Sequence, residues 1–112
     1  MKAIAAVVAF VMWVVPGAAV AGWGAIAYNS ANGDSSEADG YESLGAAESA
    51  ALGYCGGGCR IINWEQNSCI AFATGPGGVW GEGHGYSTSG AAISAAISYC
   101  GGGCGWREWA CN

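Results

Sequence analysis

The sequence predicts an α+β domain made by duplication: a strand-loop-helix-strand unit used twice, with two helices packed on a sheet of about four strands and stapled by disulfides. Three observations lead there. Gly45 to Cys59 reads GAAESAALGYCGGGC and Gly90 to Cys104 reads GAAISAAISYCGGGC, and across this 45-residue offset only Glu48/Ile93, Leu52/Ile97 and Gly53/Ser98 differ. The register holds outward, placing Gly40-Tyr41 on Gly85-Tyr86 and Trp64 on Trp109. Each copy also carries an alanine stripe at helical spacing, and the short chain holds six cysteines. Residues used twice are more economically explained as framework than as a catalytic centre, which needs unlike groups brought together.

Residues 1–21 read as a secretory signal peptide. Lys2 is a short positive start, Ala3 to Val15 is uninterrupted and apolar, and Pro16-Gly17 precedes the small-x-small site Ala19-Val20-Ala21, so cleavage is expected after Ala21. The apolar run is shorter than the roughly 20 residues of a spanning helix. Residues 22–112 then make one domain, repeat one covering about 23–67 and repeat two about 68–112.

WGAIAY, Trp23 to Tyr28, is short, apolar and bounded by Asn29-Ser30, which suits a buried strand. Asn29 to Gly40 is polar and acidic and reads as a solvated loop. From Ser43 to Cys55 the period changes: Ala47, Ala51 and Cys55 share a face, Leu44 and Leu52 lie beside them, and Ser43 caps the start. Gly-Gly-Gly ends this helix, and Arg60 to Trp64 reads as a strand. Gln66-Asn67-Ser68 turns into a further strand from Cys69 to Ala73. Residues 75–85, rich in glycine, serve as the second loop, with Val79-Trp80 able to pair at an edge. The second helix, 88–100, carries Ala92, Ala96 and Cys100 flanked by Ile93 and Ile97, with Ser87 or Thr88 as cap. Trp106 to Ala110 is the last strand. Alanine stripes permit close backbone approach, so the helices should lie tightly on a sheet or on each other.

An even cysteine count in a short exported chain reads as a disulfide framework. Four thiolates at Cys55, Cys59, Cys100 and Cys104 would also suit zinc, but an oxidising compartment and two further cysteines favour bridges. The repeat requires Cys55/Cys59 and Cys100/Cys104 to behave alike, and three flexible glycines bring each pair within bridging distance. Cys55–Cys59 and Cys100–Cys104 follow, leaving Cys69 and Cys111 to pair across the repeats. The competing map joins Cys59 to Cys69 across a hairpin and Cys104 to Cys111.

The whole chain has a formal charge of −5, and without Lys2 only Arg60 and Arg107 face eight carboxylates. Such a surface repels phosphate backbones and anionic headgroups, which argues against nucleic-acid partners and against membrane binding after signal cleavage. It attracts cations, and it also keeps an alanine- and glycine-rich domain soluble.

WGAIAY, AAESAALGYC, CRIINWEQNSCIAFA, a glycine- and tryptophan-rich segment, AAISAAISYC and a final C-x6-C occur in an order that resembles the exported bacterial family catalogued as domain of unknown function 4189. The resemblance covers essentially all of residues 22–112. It implies an exported protein and supplies no catalytic residues. Relatives often carry a longer, polar link between their paired cysteines, where both links here are Gly-Gly-Gly.

Among candidate functional residues, the single histidine lies in Trp80-Gly81-Glu82-Gly83-His84-Gly85. Glu82 and His84 could act as base and orienter of a small hydrolase, but no serine nucleophile motif accompanies them, so a polar loop tip is the plainer expectation. A metal held by Glu82, His84 and an acidic-loop carboxylate has no spacing that selects a geometry, and no cofactor is called for. Trp80, Tyr86 and Trp106 are the candidate exposed contacts; Trp23, Trp64 and Trp109 are expected to fill the core. The sequence thus points to a secreted or periplasmic, non-enzymatic binding module for a protein or glycan. Its contact surfaces would be loops 75–86 and 29–42. The alternative is an inhibitor or immunity-type protein against a basic cell-wall-degrading enzyme, with a hydrolase using Glu82 and His84 third.

Overall fold

The computed structural model describes residues 22–112, so the signal-peptide reading lies outside the described residues. The elements are β1 (Trp23–Tyr28), β2 (Ser35–Tyr41), α1 (Leu44–Cys55), β3 (Arg60–Gln66), β4 (Cys69–Thr74), a 3-10 turn at Pro76–Gly78, β5 (Trp80–Tyr86), α2 (Ser89–Cys100) and β6 (Gly105–Cys111). Two three-stranded antiparallel sheets result, ordered β2-β1-β3 and β5-β4-β6. The single sheet of about four strands is corrected accordingly, and each unit is strand-strand-helix-strand rather than strand-loop-helix-strand.

The two stretches read as loops are the strands β2 and β5. Their glycines and short polar residues look like loop composition but answer to the helix above them. A Cβ on Gly81 would collide with Cys100 N and Ala96 O, and one on Gly83 with Ala92 O, all backbone of α2. Strand glycine is normally unfavourable, but it is required where another backbone comes this close. In the first half Ser36 stands at the place of Gly81, and its hydroxyl donates to Ala51 O of α1.

The ladders repeat residue for residue. β1 sets Ile26 opposite Glu37 on one side and Asn63 on the other; β4 sets Phe72 opposite Glu82 and Glu108. Irregularities recur at equivalent places, between Trp23 and Ala25 and between Cys69 and Ala71. Helix ends repeat as well: Ser43 Oγ accepts from Ala46 N and Thr88 Oγ1 from Ala91 N, each at 3.1 Å. At the other ends Gly56 and Gly101 hold φ of 98° and 102°, a region that favours glycine and so terminates both helices.

Alternation along the central strands builds the layers. Ala25, Ala27 and Ala38 meet Ala47, Ala51 and Cys55 of α1, and Ala71 and Ala73 meet Ala92, Ala96 and Cys100 of α2. The opposite faces supply Ile26, Tyr28, Ile70, Phe72 and Ala110, which pack between the sheets. The order of layers is therefore helix, sheet, sheet, helix, with small residues under the helices and large ones in the middle. Both faces of β1 and β4 are covered, which explains their continuous apolar runs. Among the described residues no helix is long and apolar enough to cross a membrane.

Cys55–Cys59 and Cys100–Cys104 are bridged with Cα atoms 6.2 and 6.1 Å apart. Cys69–Cys111 is the third bridge, with Cα atoms 4.1 Å apart. These residues are partners on neighbouring strands β4 and β6. This bridge therefore stays inside the second half instead of joining the repeats. At the equivalent ladder position the first half pairs Trp23 with Gln66.

Candidate functional site

Where the sheets stack, the edge strand β2 runs against β6 and the edge strand β5 against β3. These two seams are related by the repeat. Along β5, the edge strand of the second seam, runs an open groove of about 470 Å³ lined by Trp80, Gly81, Glu82, His84 and Tyr86 of β5 and by Tyr99 of α2. Four of the five candidate contact residues thus converge on one edge strand, because period-two alternation in β5 puts Trp80, Glu82 and His84 on one face and glycines on the other. Trp106, 53% exposed, lies on β6 and is not among the lining residues.

Asn63 of β3 organises this seam and was not singled out in the sequence. It is 1% exposed, and its Nδ2 donates to Gly83 O at 3.0 Å and Ala71 O at 3.4 Å. Two carbonyl partners fix the amide orientation, so Oδ1 is the acceptor. It receives Trp64 N and faces His84 Nδ1, both at 2.9 Å. An acceptor facing Nδ1 makes that nitrogen the protonated one in neutral imidazole, leaving the Nε2 lone pair free. The signal for Asn63 was available: Asn63 and Glu108 occupy the same repeat position, both polar within a strand.

Aromatic rings frame the groove. Trp80 packs on Phe72 and Tyr28 with centroids 5.7 and 6.4 Å away, which holds the indole while leaving it 37% exposed. Trp64 presents an edge to His84 at 5.8 Å. It is 48% exposed and Trp109 is 41% exposed, so neither fills the core as expected; both sit on outer strands at the helix-facing side, where an alanine helix is too narrow to cover them. Burial pushes the Glu82 carboxyl above its ordinary value, with His84 pulling the other way. The Tyr86 phenol is also raised, by Tyr99 first and then by desolvation and their shared hydrogen bond.

In the first seam Ser35 stands at the place of Trp80, Glu37 at that of Glu82, Asp39 at that of His84 and Glu108 at that of Asn63. Ser35 Oγ donates to Glu108 Oε2 at 2.8 Å. Glu37 Oε1 is buried without a partner among the described residues. Burial raises the Glu37 carboxyl, and Asp39 and Glu108 add to it.

All six cysteines are bridged, so no free thiol is present among the described residues. Nor do these residues contain a group of three or more His, Cys, Asp or Glu side chains placed to hold a metal. What the β5 edge offers is an open groove lined by aromatic rings, a half-buried carboxylate and an exposed, oriented imidazole. The chain belongs to the family described as a domain of unknown function (DUF4189), whose model matches residues 23–111. No curated protein and no solved structure matches it.

Proposed function

We propose that the protein is a secreted or periplasmic, disulfide-stapled binding module that presents the β5 groove to a protein or glycan. The convergence of Trp80, Glu82, His84 and Tyr86 on one open groove carries this reading. Exposed aromatic rings supply stacking area at low entropic cost, and fixed polar groups between them supply orientation. Three bridges suit an oxidising compartment. Capture from envelope extract on immobilised protein tests it. A stoichiometric partner, or a glycan, should be retained by the wild type and lost with Trp80→Ala at unchanged circular dichroism. Retention by that variant sinks the reading.

The acidic charge favours a narrower form, an inhibitor of a basic wall-degrading enzyme, which the same capture identifies by the partner's activity. A hydrolytic reading draws on the oriented imidazole of His84 beside Glu82. It requires turnover of a wall-derived substrate that disappears in His84→Ala.

A further inference from the structure

We propose that the occupant of the β5 groove is a basic side chain of a protein partner, a guanidinium or ammonium group seated against Glu82. This rests on the binding-module reading above and assigns the chemistry of its ligand.

The groove lining offers acceptors. Glu82 is acceptor-only when ionised, and it has no hydrogen-bond donor among the described residues to hold it: only burial and His84 act on it. Asn63 fixes Nδ1 of His84 as a donor to its Oδ1, so in the neutral imidazole the nitrogen left for a ligand is Nε2 with its lone pair. A ligand meeting both must bring N–H or O–H groups. Planar guanidinium brings several in a fixed fork.

Charge decides between a cation and a neutral hydroxyl. Neither arginine is a lining residue; the Arg107 guanidinium donates to Gly33 O at 2.9 Å, away from Glu82. A half-buried carboxylate with no arginine or lysine among the lining residues gains the Coulomb attraction of a charged donor in addition to the hydrogen bond that a neutral donor also makes. Trp80, Tyr86 and Tyr99 complete the surround, and their ring faces attract a cation that a sugar would not supply. The first seam keeps the tyrosine pair as Tyr41 and Tyr54 but lacks the indole and the imidazole: Ser35 and Asp39 replace Trp80 and His84 around Glu37. Glu37 is therefore an internal control for a carboxyl at the same place in the fold.

The test is NMR titration of the ¹⁵N-labelled exported protein with acetyl-Gly-Arg-Gly-amide, its neutral citrulline counterpart and chitotriose. The arginine peptide should shift the Trp80 indole and His84 imidazole signals saturably, bind about tenfold more tightly than the citrulline peptide, and weaken with salt. Glu82→Gln should cost about tenfold and Glu37→Gln nothing, both variants being checked by circular dichroism. Equal affinity for the citrulline peptide, indifference to Glu82→Gln, or imidazole ¹⁵N shifts showing an Nε2–H tautomer would each overturn the assignment. Chitotriose acting on the same signals without the arginine peptide overturns the cation and leaves the binding module standing. Silence from every probe, with an extract partner still captured by Trp80→Ala, overturns both.

Discussion

The two seams between the sheets share a backbone, a glutamate at Glu37 and Glu82 and a tyrosine pair, and differ at Ser35/Trp80, Asp39/His84 and Glu108/Asn63. At equivalent ladder positions the first holds Glu37 opposite Ile26, and Glu108 opposite Phe72 of the other half; the second holds Glu82 opposite Phe72, and Asn63 opposite Ile26. The first gathers carboxylates, one of them buried without a partner. The second pairs its carboxylate with an imidazole held by a saturated amide. Duplication therefore preserved what the helices need, alanine and glycine under close contact, and released the positions that face across the sandwich. Other exchanges are compensated locally. Glu65 occupies the place of Ala110, and Gly24, whose Cβ would strike Glu65 Oε2, occupies the place of Ile70. One half buries a carboxyl bonded to Ser68 N and Asn112 Nδ2; the other buries hydrocarbon.

Making the seams alike should break the molecule on one side. Asn63→Asp removes the donor to two carbonyl oxygens and sets a charge among them, with a cost of about 3–5 kcal/mol expected in urea unfolding. A change below 1 kcal/mol would mean the amide is not the organiser of the second seam.

The next effect probes the bridge that only one half has between its first and last strands. Cys69→Ser with Cys111→Ser should cost about 3–4 kcal/mol by freeing a loop of 42 positions in the unfolded chain. Cys55→Ser with Cys59→Ser closes a far shorter span and should cost about half as much. Equal losses would show that the short bridges act through the folded state.

A smaller effect tests helix approach. Gly83→Ala forces a Cβ against Ala92 O and should cost about 1–3 kcal/mol, whereas Ala38, its counterpart opposite Ala25, is accommodated in the first half. If Gly83→Ala is neutral by thermal melting, the two helices sit at the same height.

Smallest is Glu37→Gln. The Glu37 carboxyl titrates above its ordinary 4.5 in the folded chain, as do Glu65 and Glu82, all through burial first. Between 4.5 and those raised values the folded state binds more protons than the unfolded, so stability rises as pH falls through that window. Glu37→Gln should gain a few tenths of a kcal/mol at neutral pH, solvent screening having reduced the penalty, and should flatten the acid-side rise. A loss of stability at neutral pH would assign the carboxylate a cation it does not have in this structure.

Much of this framework was legible in the sequence. Both helices, their caps, the central strands and the cysteine pairs follow from residues that repeat and from period. β2 and β5 were missed because their helix-facing positions are Ser36, Ala38, Gly81 and Gly83, chosen by contact with a backbone rather than by strand preference. The groove was half visible: Trp80, Glu82, His84 and Tyr86 stood out by type, while Asn63 did not, since its role depends on a neighbouring sheet formed by distant residues. Trp64 and Trp109 were misplaced for a related reason, the width of an alanine helix being a property of packing.

Every bridge lies inside one half, and only the peptide through Asn67 and Ser68 links β3 to β4. A single cleavage there would leave two chains with no covalent tie, one carrying one staple and the other two. Cohesion through Ile26, Tyr28, Ile70 and Phe72 would then become a bimolecular equilibrium, and the nicked protein's melting temperature would depend on its concentration where that of the intact chain does not.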